Sequence, residues 1–389
     1  MEQRYRIGIV ARFSAQWAAG RYYVENLIKA LGGARQSIEI TVLHDGEAPA
    51  FPAEITDSIA LKFRQLEPAY SFSERLQNKA SRIVSGKNLV EKRVQDNEFD
   101  VVLPLGRWAE YPFALISNMV FWIPDFQEKH YPENFSAEEL QNRERERDAI
   151  AMNAPHLMLS SQAAASDLRS FYPHHRCQVH IQSFAVFNTI NQTESEQELI
   201  LREFGVSKHR YFVCANQFWK HKNHRVLIEA VAQMLKAEPP HPEFKLLMSG
   251  KESGFRNDGI AAEMKSLVSE LGLEDRISFL GFADRQKLLV LMKNAASLLQ
   301  PSFFEGWNTS IEDAKSLDVP VLASDIPVHQ EQLTDTSSLV TANDPEAWAA
   351  KMLERLASYQ KVEFNYAGHQ TAFAESLLKM VDELQKTRT

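Results

Sequence analysis

Along the chain, short apolar runs alternate with segments whose apolar positions recur at helical spacing, and the alternation occurs twice. In the first half "IGIVA", "ITVLH", "VVLPL", "VFWIP", "HLMLSS" and "QVHIQSF" read as strands, and "RYYVENLIKAL" and "SQAAASDLRSFY" read as helices. The second half is more regular. There "YFVCAN", "FKLLMSG", "ISFLGF", "ASLLQPS", "PVLASD" and "SLVTA" are separated by "NHRVLIEAVAQML", "IAAEMKSLVSEL", "DRQKLLVLM", "TSIEDAKSL" and "PVHQEQL". Apolar strands that alternate with helices form parallel sheets covered by those helices, so two series predict an α/β protein of two doubly wound Rossmann-like domains. The polar stretch "NTINQTESEQE" lies between the series and reads as a linker. The expected division is a first domain over residues 1–185, a linker over 186–205, a second domain over 206–365 and a terminal helix over 366–389.

A length of 389 residues suffices for two domains with separate cores, and 44% hydrophobic with 24% charged residues is the composition of a soluble globular protein. The net charge of -8 argues against a nucleic-acid partner, which would call for an excess of Lys and Arg on some domain. Cys177 and Cys214 both fall in expected strands, as small core residues without a disulfide framework, and a reducing cytoplasm fits them. The opening "RYRIGIVARFS" is too short an apolar run for a signal peptide, and no later run approaches a transmembrane helix, so membrane contact would be peripheral. One segment bears on such contact. Between Ser73 and Arg93 the chain carries Arg75, Lys79, Arg82, Lys87, Lys92 and Arg93 against Glu74 and Glu91, which reads either as a basic helix for anionic lipid or as a solvated helix face.

Candidate chemistry centres on "QPSFFEGWNTSIEDAKSLDVPVLASD", residues 300–325, which reads strand, loop, helix, strand. Ligands of doubly wound domains bind beyond the carboxyl ends of the strands, where free backbone N–H groups at a helix start hold a phosphate or a sugar hydroxyl. Glu305 stands at such a strand end as an acceptor, and Asp313 lies about two helical turns further along. That spacing suits a ligand with a polar sugar at one end and a ribose at the other.

This stretch resembles the signature of the retaining glycosyltransferases of family 4, which have the GT-B fold and bind a nucleotide sugar with two acidic residues eight positions apart. Those positions are Glu305 and Asp313, the second usually Glu, and Glu312 is the alternative for that role. The similarity extends through "AKSLDVPVLASDIPVHQEQL", "GLEDRISFLGF", "NQFWKHKNHRVLIEA", "WIPDFQEKHYPENFS" and "WAAGRYYVENLIKAL". It implies that Lys222 faces the donor diphosphate. Asn216 takes the place of an arginine common among relatives, with Lys251 or Arg225 available to compensate. Gly281 and Phe282 meet the nucleobase, and Gly306, Trp307, Asn308 and Thr309 form the donor loop and helix start. Gly20 and Arg21 belong to the acceptor or phosphate loop, where Ala19 replaces a second glycine. Asp125 follows Pro124, which replaces a histidine at the reacting carbon, and His130 is the nearest substitute.

The resemblance also implies an activity. A hexose-type sugar would pass with retained configuration from a nucleotide diphosphate to a glycan or lipid-linked glycan, as in surface polysaccharide synthesis. Glu305 would hold the transferred sugar, and the departing phosphate would take the acceptor's proton on the same face. The terminal helix would return to the first domain. No Asp-x-Asp pair occurs in the sequence, so no metal and no cofactor beyond the donor is expected. Two rival classes stay open: a nucleotide-sugar epimerase of the same fold and a non-catalytic sugar-binding relative. A nicotinamide dehydrogenase is disfavoured, because "GIVARFSAQWAAG" lacks G-x-G-x-x-G.

Overall fold

In the computed structural model, which describes residues 4–11, 18–33, 37–44, 47–65, 99–106, 118–236, 243–253 and 259–386, the apolar runs become two parallel sheets. The first contains β1 (Arg4–Val10), β2 (Ser37–His44), β3 (Leu61–Gln65), β4 (Val101–Leu105), β5 (Met119–Ile123), β6 (His156–Leu159) and β7 (Gln178–Ile181), in the order β3-β2-β1-β4-β5-β6-β7. The second contains β8 (Tyr211–Ala215), β9 (Lys245–Ser249), β10 (Ile277–Gly281), β11 (Ser297–Gln300), β12 (Val321–Ser324) and β13 (Leu339–Val340), in the order β10-β9-β8-β11-β12-β13. Both orders reverse direction beside their first strand, which is the doubly wound pattern and the GT-B class of α/β fold expected.

Register explains why the runs are apolar on both faces. Ile7 stands opposite Ile40 on β2 and Val101 on β4, and Val213 opposite Leu247 on β9 and Leu298 on β11; all six are fully buried or nearly so. Each such side chain contributes roughly 1.5–3 kcal/mol of burial. Cys177 and Cys214 are buried and unpaired, and burial pushes their thiols up to about 11 and about 12.

The chain divides into two compact units, residues 1–187 with 367–389, and residues 188–366. The helix Tyr366–Lys386 therefore places nearly all of its length in the first unit. There Tyr5 Oη donates to Asp382 Oδ1 at 2.7 Å, Gln370 Nε2 donates to the Val186 carbonyl at 2.8 Å, and Phe373, Leu377 and Val381 are buried. Residues 186–205, read as a linker, hold a helix, Glu194–Glu203. A capping box starts it: Thr193 accepts from the Glu196 N–H while the Glu196 carboxylate accepts from the Thr193 N–H. Gln197, Ile200 and Leu201 form its buried side, so the polar run is a solvated helix face of the second unit.

Three further elements complete the described units. β3 is exposed over Lys62 to Gln65, a charged edge strand with no apolar alternation. The helix Ala137–Asn153, also started by a capping box, buries Arg147, Ile150 and Ala151 and is otherwise highly charged. The helix Pro345–Ala357, begun by the Asp344 cap, buries Trp348, Ala349, Met352 and Leu356. The basic stretch from Arg75 to Arg93 lies outside the described residues. No helix among the described residues is long and apolar enough to cross a membrane.

Candidate active site

In the second unit the strand order reverses between β8 and β11, so the loops leaving their carboxyl ends part to opposite sides and open a crevice. After β8 comes the short turn Lys220–Lys222, then Asn223 in the left-handed region with φ 53°, then the helix His224–Lys236. Asn tolerates that backbone better than most residues, and here its side chain is also used. Asn223 Nδ2 donates to the Pro301 carbonyl at 3.1 Å and the Ala342 carbonyl at 2.8 Å, while the Phe303 N–H donates to the His221 carbonyl at 2.8 Å. The bonds to Pro301 and from Phe303 fasten the Lys222 turn to the loop that follows β11.

The consequence is a contact between the two residues singled out from the sequence. Lys222 Nζ donates to Glu305 Oε1 at 2.6 Å, with side chains 13% and 9% exposed. Gln300 Nε2 donates to the same oxygen at 3.0 Å. Burial works against ionisation of Glu305, but Lys222 and the neighbouring His221 outweigh it and hold the carboxyl below its ordinary value. Asn216 lies behind this pair. Its amide exchanges hydrogen bonds with that of Gln300, at 3.0 and 3.1 Å, so it serves to orient Gln300.

Beyond Glu305, buried Gly306 and half-buried Trp307 lead to the helix Thr309–Ser316. Asn308 caps that helix, its Oδ1 accepting from the Ile311 N–H at 2.9 Å, and Thr309 begins it. Gln332 holds Asn308 from both sides, accepting from its N–H at 3.1 Å and donating to its carbonyl at 3.0 Å. Asp313, the second acidic position of the resemblance, is held by partners of its own. It is buried, and a buried aspartate requires a counter-ion: Arg285 donates to Oδ2 at 2.7 Å and to Oδ1 at 2.5 Å, and Asn188 donates to Oδ1 at 2.9 Å. Glu312 is also buried, receiving hydrogen bonds from Lys315 at 3.2 Å, Gln332 at 2.9 Å and Tyr366 Oη at 2.8 Å. Both acidic groups thus brace the helix.

β9 lies beside β8, with β10 beyond it at the sheet edge. A Cβ on Gly250 would fall 2.0 Å from the Asn216 carbonyl oxygen, so only glycine allows this approach. Lys251, next in sequence, is half-buried and donates its backbone N–H to Gln217 Oε1 at 3.2 Å. Gly281 adopts φ +61°, its carbonyl accepting from the Gly250 N–H at 2.9 Å, and Phe282 follows with 60% of its surface exposed. Arg225, the other suggested compensating cation, points away to Glu263 at 2.6 Å on the surface.

His329 was not among the sequence candidates. It sits in the helix Pro327–Gln332 after β12, fully buried, with Nδ1 2.9 Å from the Ser324 carbonyl oxygen. Burial is the main cause that pushes its pKa down to about 4; Lys222 also lowers it and Glu305 opposes.

In the first unit, Gly20 is buried near the start of the helix Ala18–Gly32, and Arg21 on its surface bonds Glu25 at 2.8 Å and the Ala50 carbonyl at 2.9 Å. Asp125 Oδ1 accepts from the Gln127 N–H at 3.0 Å, entering the short helix Gln127–His130. Burial raises its pKa, against that hydrogen bond and the charges of Arg147 and Arg143. His130 Nε2 lies 2.9 Å from Asp167 Oδ2, its ring edge-on to Phe171.

Residues 196–368 match the sequence model of the family described as glycosyl transferases group 1. The O-antigen chain mannosyltransferase RfbU of Salmonella typhimurium is 26% identical over 173 residues, 44% of each chain. A D-inositol 3-phosphate glycosyltransferase of Corynebacterium efficiens is 27% identical over 205 residues, 51% of this chain and 47% of the relative. The chain thus spans about half the length of the curated relatives it matches. Over 98% of its length it shares its fold with Anabaena Alr3699/HepE, solved with UDP and glucose, at TM-score 0.65 and 17% identity, covering 99% of that chain.

Proposed function

We propose that this chain, whose second unit carries a group 1 glycosyl transferase domain, is a metal-independent retaining glycosyltransferase that moves a hexose from a nucleotide diphosphate to a glycan or lipid-linked glycan. The observation that carries the reading is the buried Lys222–Glu305 pair at the switch point between β8 and β11. Lys222 turns from Glu305 to the diphosphate and neutralises charge as the phosphate departs. Glu305, ionised in its pairing with Lys222, is then an acceptor for hydroxyls of the transferred sugar. The bond from the anomeric carbon to the phosphate oxygen breaks, the bond to the acceptor oxygen forms on the same face, and the acceptor's proton passes to the phosphate. Phe282 and Gly281 are the side toward the nucleobase; Gly20, Arg21, Asp125 and His130 are assigned to the acceptor side. A lipid-linked acceptor and contact with anionic membrane rest on the basic stretch from Arg75 to Arg93.

The relatives support a sugar donor of this kind: two are named for mannosyl or glycosyl transfer, and HepE was solved with UDP and glucose. The test is a panel of nucleotide sugars, with nucleotide release followed with and without glycan acceptors. Acceptor-dependent release supports the reading. Interconversion of a donor without acceptor would make the protein an epimerase, and binding without turnover a sugar-binding relative.

A further inference from the structure

His329 has one ring nitrogen committed and one open. The Ser324 carbonyl, 2.9 Å from Nδ1, only accepts, and the Ser324 hydroxyl, 3.2 Å away, directs its own proton to the Ser302 carbonyl. Nδ1 therefore carries the hydrogen, and Nε2 presents a lone pair. That atom is buried and has no hydrogen-bond partner among the described residues. An unsatisfied buried nitrogen is a cost that a fold ordinarily avoids. The charged groups acting on the ring are Glu305, from the loop after β11, and Lys222, from the turn after β8, where His221 also acts on Glu305.

With Lys222 on Glu305, a second positive charge at His329 has no use. The balance changes when a nucleoside diphosphate arrives, because Lys222 is drawn to the phosphates and Glu305 keeps the Gln300 amide as its remaining hydrogen-bond donor of this set. We propose that His329 is a positioning residue that takes a proton from solvent at Nε2 when a nucleoside diphosphate binds, and so replaces Lys222 as the counter-charge of Glu305. The inference rests on the reading of the site given under Proposed function. Two new anionic phosphates and an unpaired carboxylate both favour the imidazolium, while the Ser324 carbonyl holds the ring in place through the change.

Calorimetric titration of the whole protein with uridine diphosphate and with guanosine diphosphate, in two buffers of different ionisation enthalpy at pH 7, measures the protons taken up on binding. The wild type is expected to take up about half a proton or more beyond His329→Gln, which binds the nucleotide more weakly. Equal uptake in both, or none in the wild type, overturns the inference and leaves the site reading intact. If neither nucleotide binds, both fall. Should the variant not fold, nitrogen-edited spectra of histidine-labelled wild type decide the matter: a histidine that gains a proton on nucleotide saturation supports the proposal, and no such histidine overturns it.

Discussion

Lys222 Nζ and Glu305 Oε1 are 2.6 Å apart although 83 residues separate them in sequence, and both side chains are largely buried. Such a pair is weak evidence of a stability role, since its Coulomb gain is offset by the desolvation of two ions. Its placement is informative. It lies where two strands of a doubly wound sheet diverge, with the lysine on a turn that hydrogen bonds fasten to the glutamate's loop.

Lys222 and Lys220 flank one short turn, yet Lys220 is exposed and Lys222 points at Glu305. Lys222→Ala is expected to weaken nucleotide-sugar binding and slow transfer together, by about tenfold or more in kcat/KM, with Lys220→Ala near wild type. Equal losses at the two positions would mean that only diffuse positive potential matters.

Arg285 is the counter-ion of buried Asp313 and also bonds Asn188 Oδ1 at 3.0 Å. Arg285→Ala should destabilise the protein by roughly 3 kcal/mol, the lower end for breaking a buried pair, because Arg285 is partly open to water that can enter. Denaturant unfolding measures it. A loss below about 1 kcal/mol would show that Asp313 is solvated without its partner.

Acid should destabilise the fold through histidines that are buried neutral. Burial pushes His329 to about 4 and His224, stacked on Phe218, to about 3. The unfolded chain binds those protons near pH 6.5, so it holds more protons than the folded state below that value. Stability is thus full above about pH 7 and falls as pH drops toward 4, by up to roughly 3 kcal/mol per histidine. His224→Phe keeps the stack on Phe218 and removes one titration. Its melting temperature relative to wild type should rise more at pH 5 than at pH 7.5, and the same difference at both pH values would contradict the assignment.

If Lys222 supplies the charge that the departing diphosphate needs, transfer should survive excess chelator with little change. Loss of activity on chelation, restored by magnesium or manganese, would place that charge on an ion.

The sheets of both units were legible because β1, β4 and β8 are buried on both faces and read as continuous apolar runs. β3 and the helix Ala137–Asn153 were not, because Lys62 and Arg64 face solvent, and the charged run "RERERD", whose Arg147 is buried on Glu128, carries no apolar periodicity. The capping pair Thr193 and Glu196 was present in the sequence, and the polar composition around it hid the helix it begins. At the site, Glu305 was legible from its place at a strand end, and Lys222 only through the family resemblance. Gln300 and Arg285 act through partners on other elements, Asn216 and Asp313, and only the strand order brings those pairs together.

The most direct test of the account is the transfer rate of Glu305→Gln with a nucleotide sugar and acceptor that the wild type uses. The amide keeps the side chain's shape but loses the charge that pairs with Lys222 and accepts the sugar hydroxyls. The account predicts an unchanged fold and a loss in kcat/KM of about a hundredfold or more, near 2.7 kcal/mol of transition-state stabilisation. Turnover within about twofold of wild type would remove Glu305 from the mechanism, and with it the site proposed at the ends of β8 and β11.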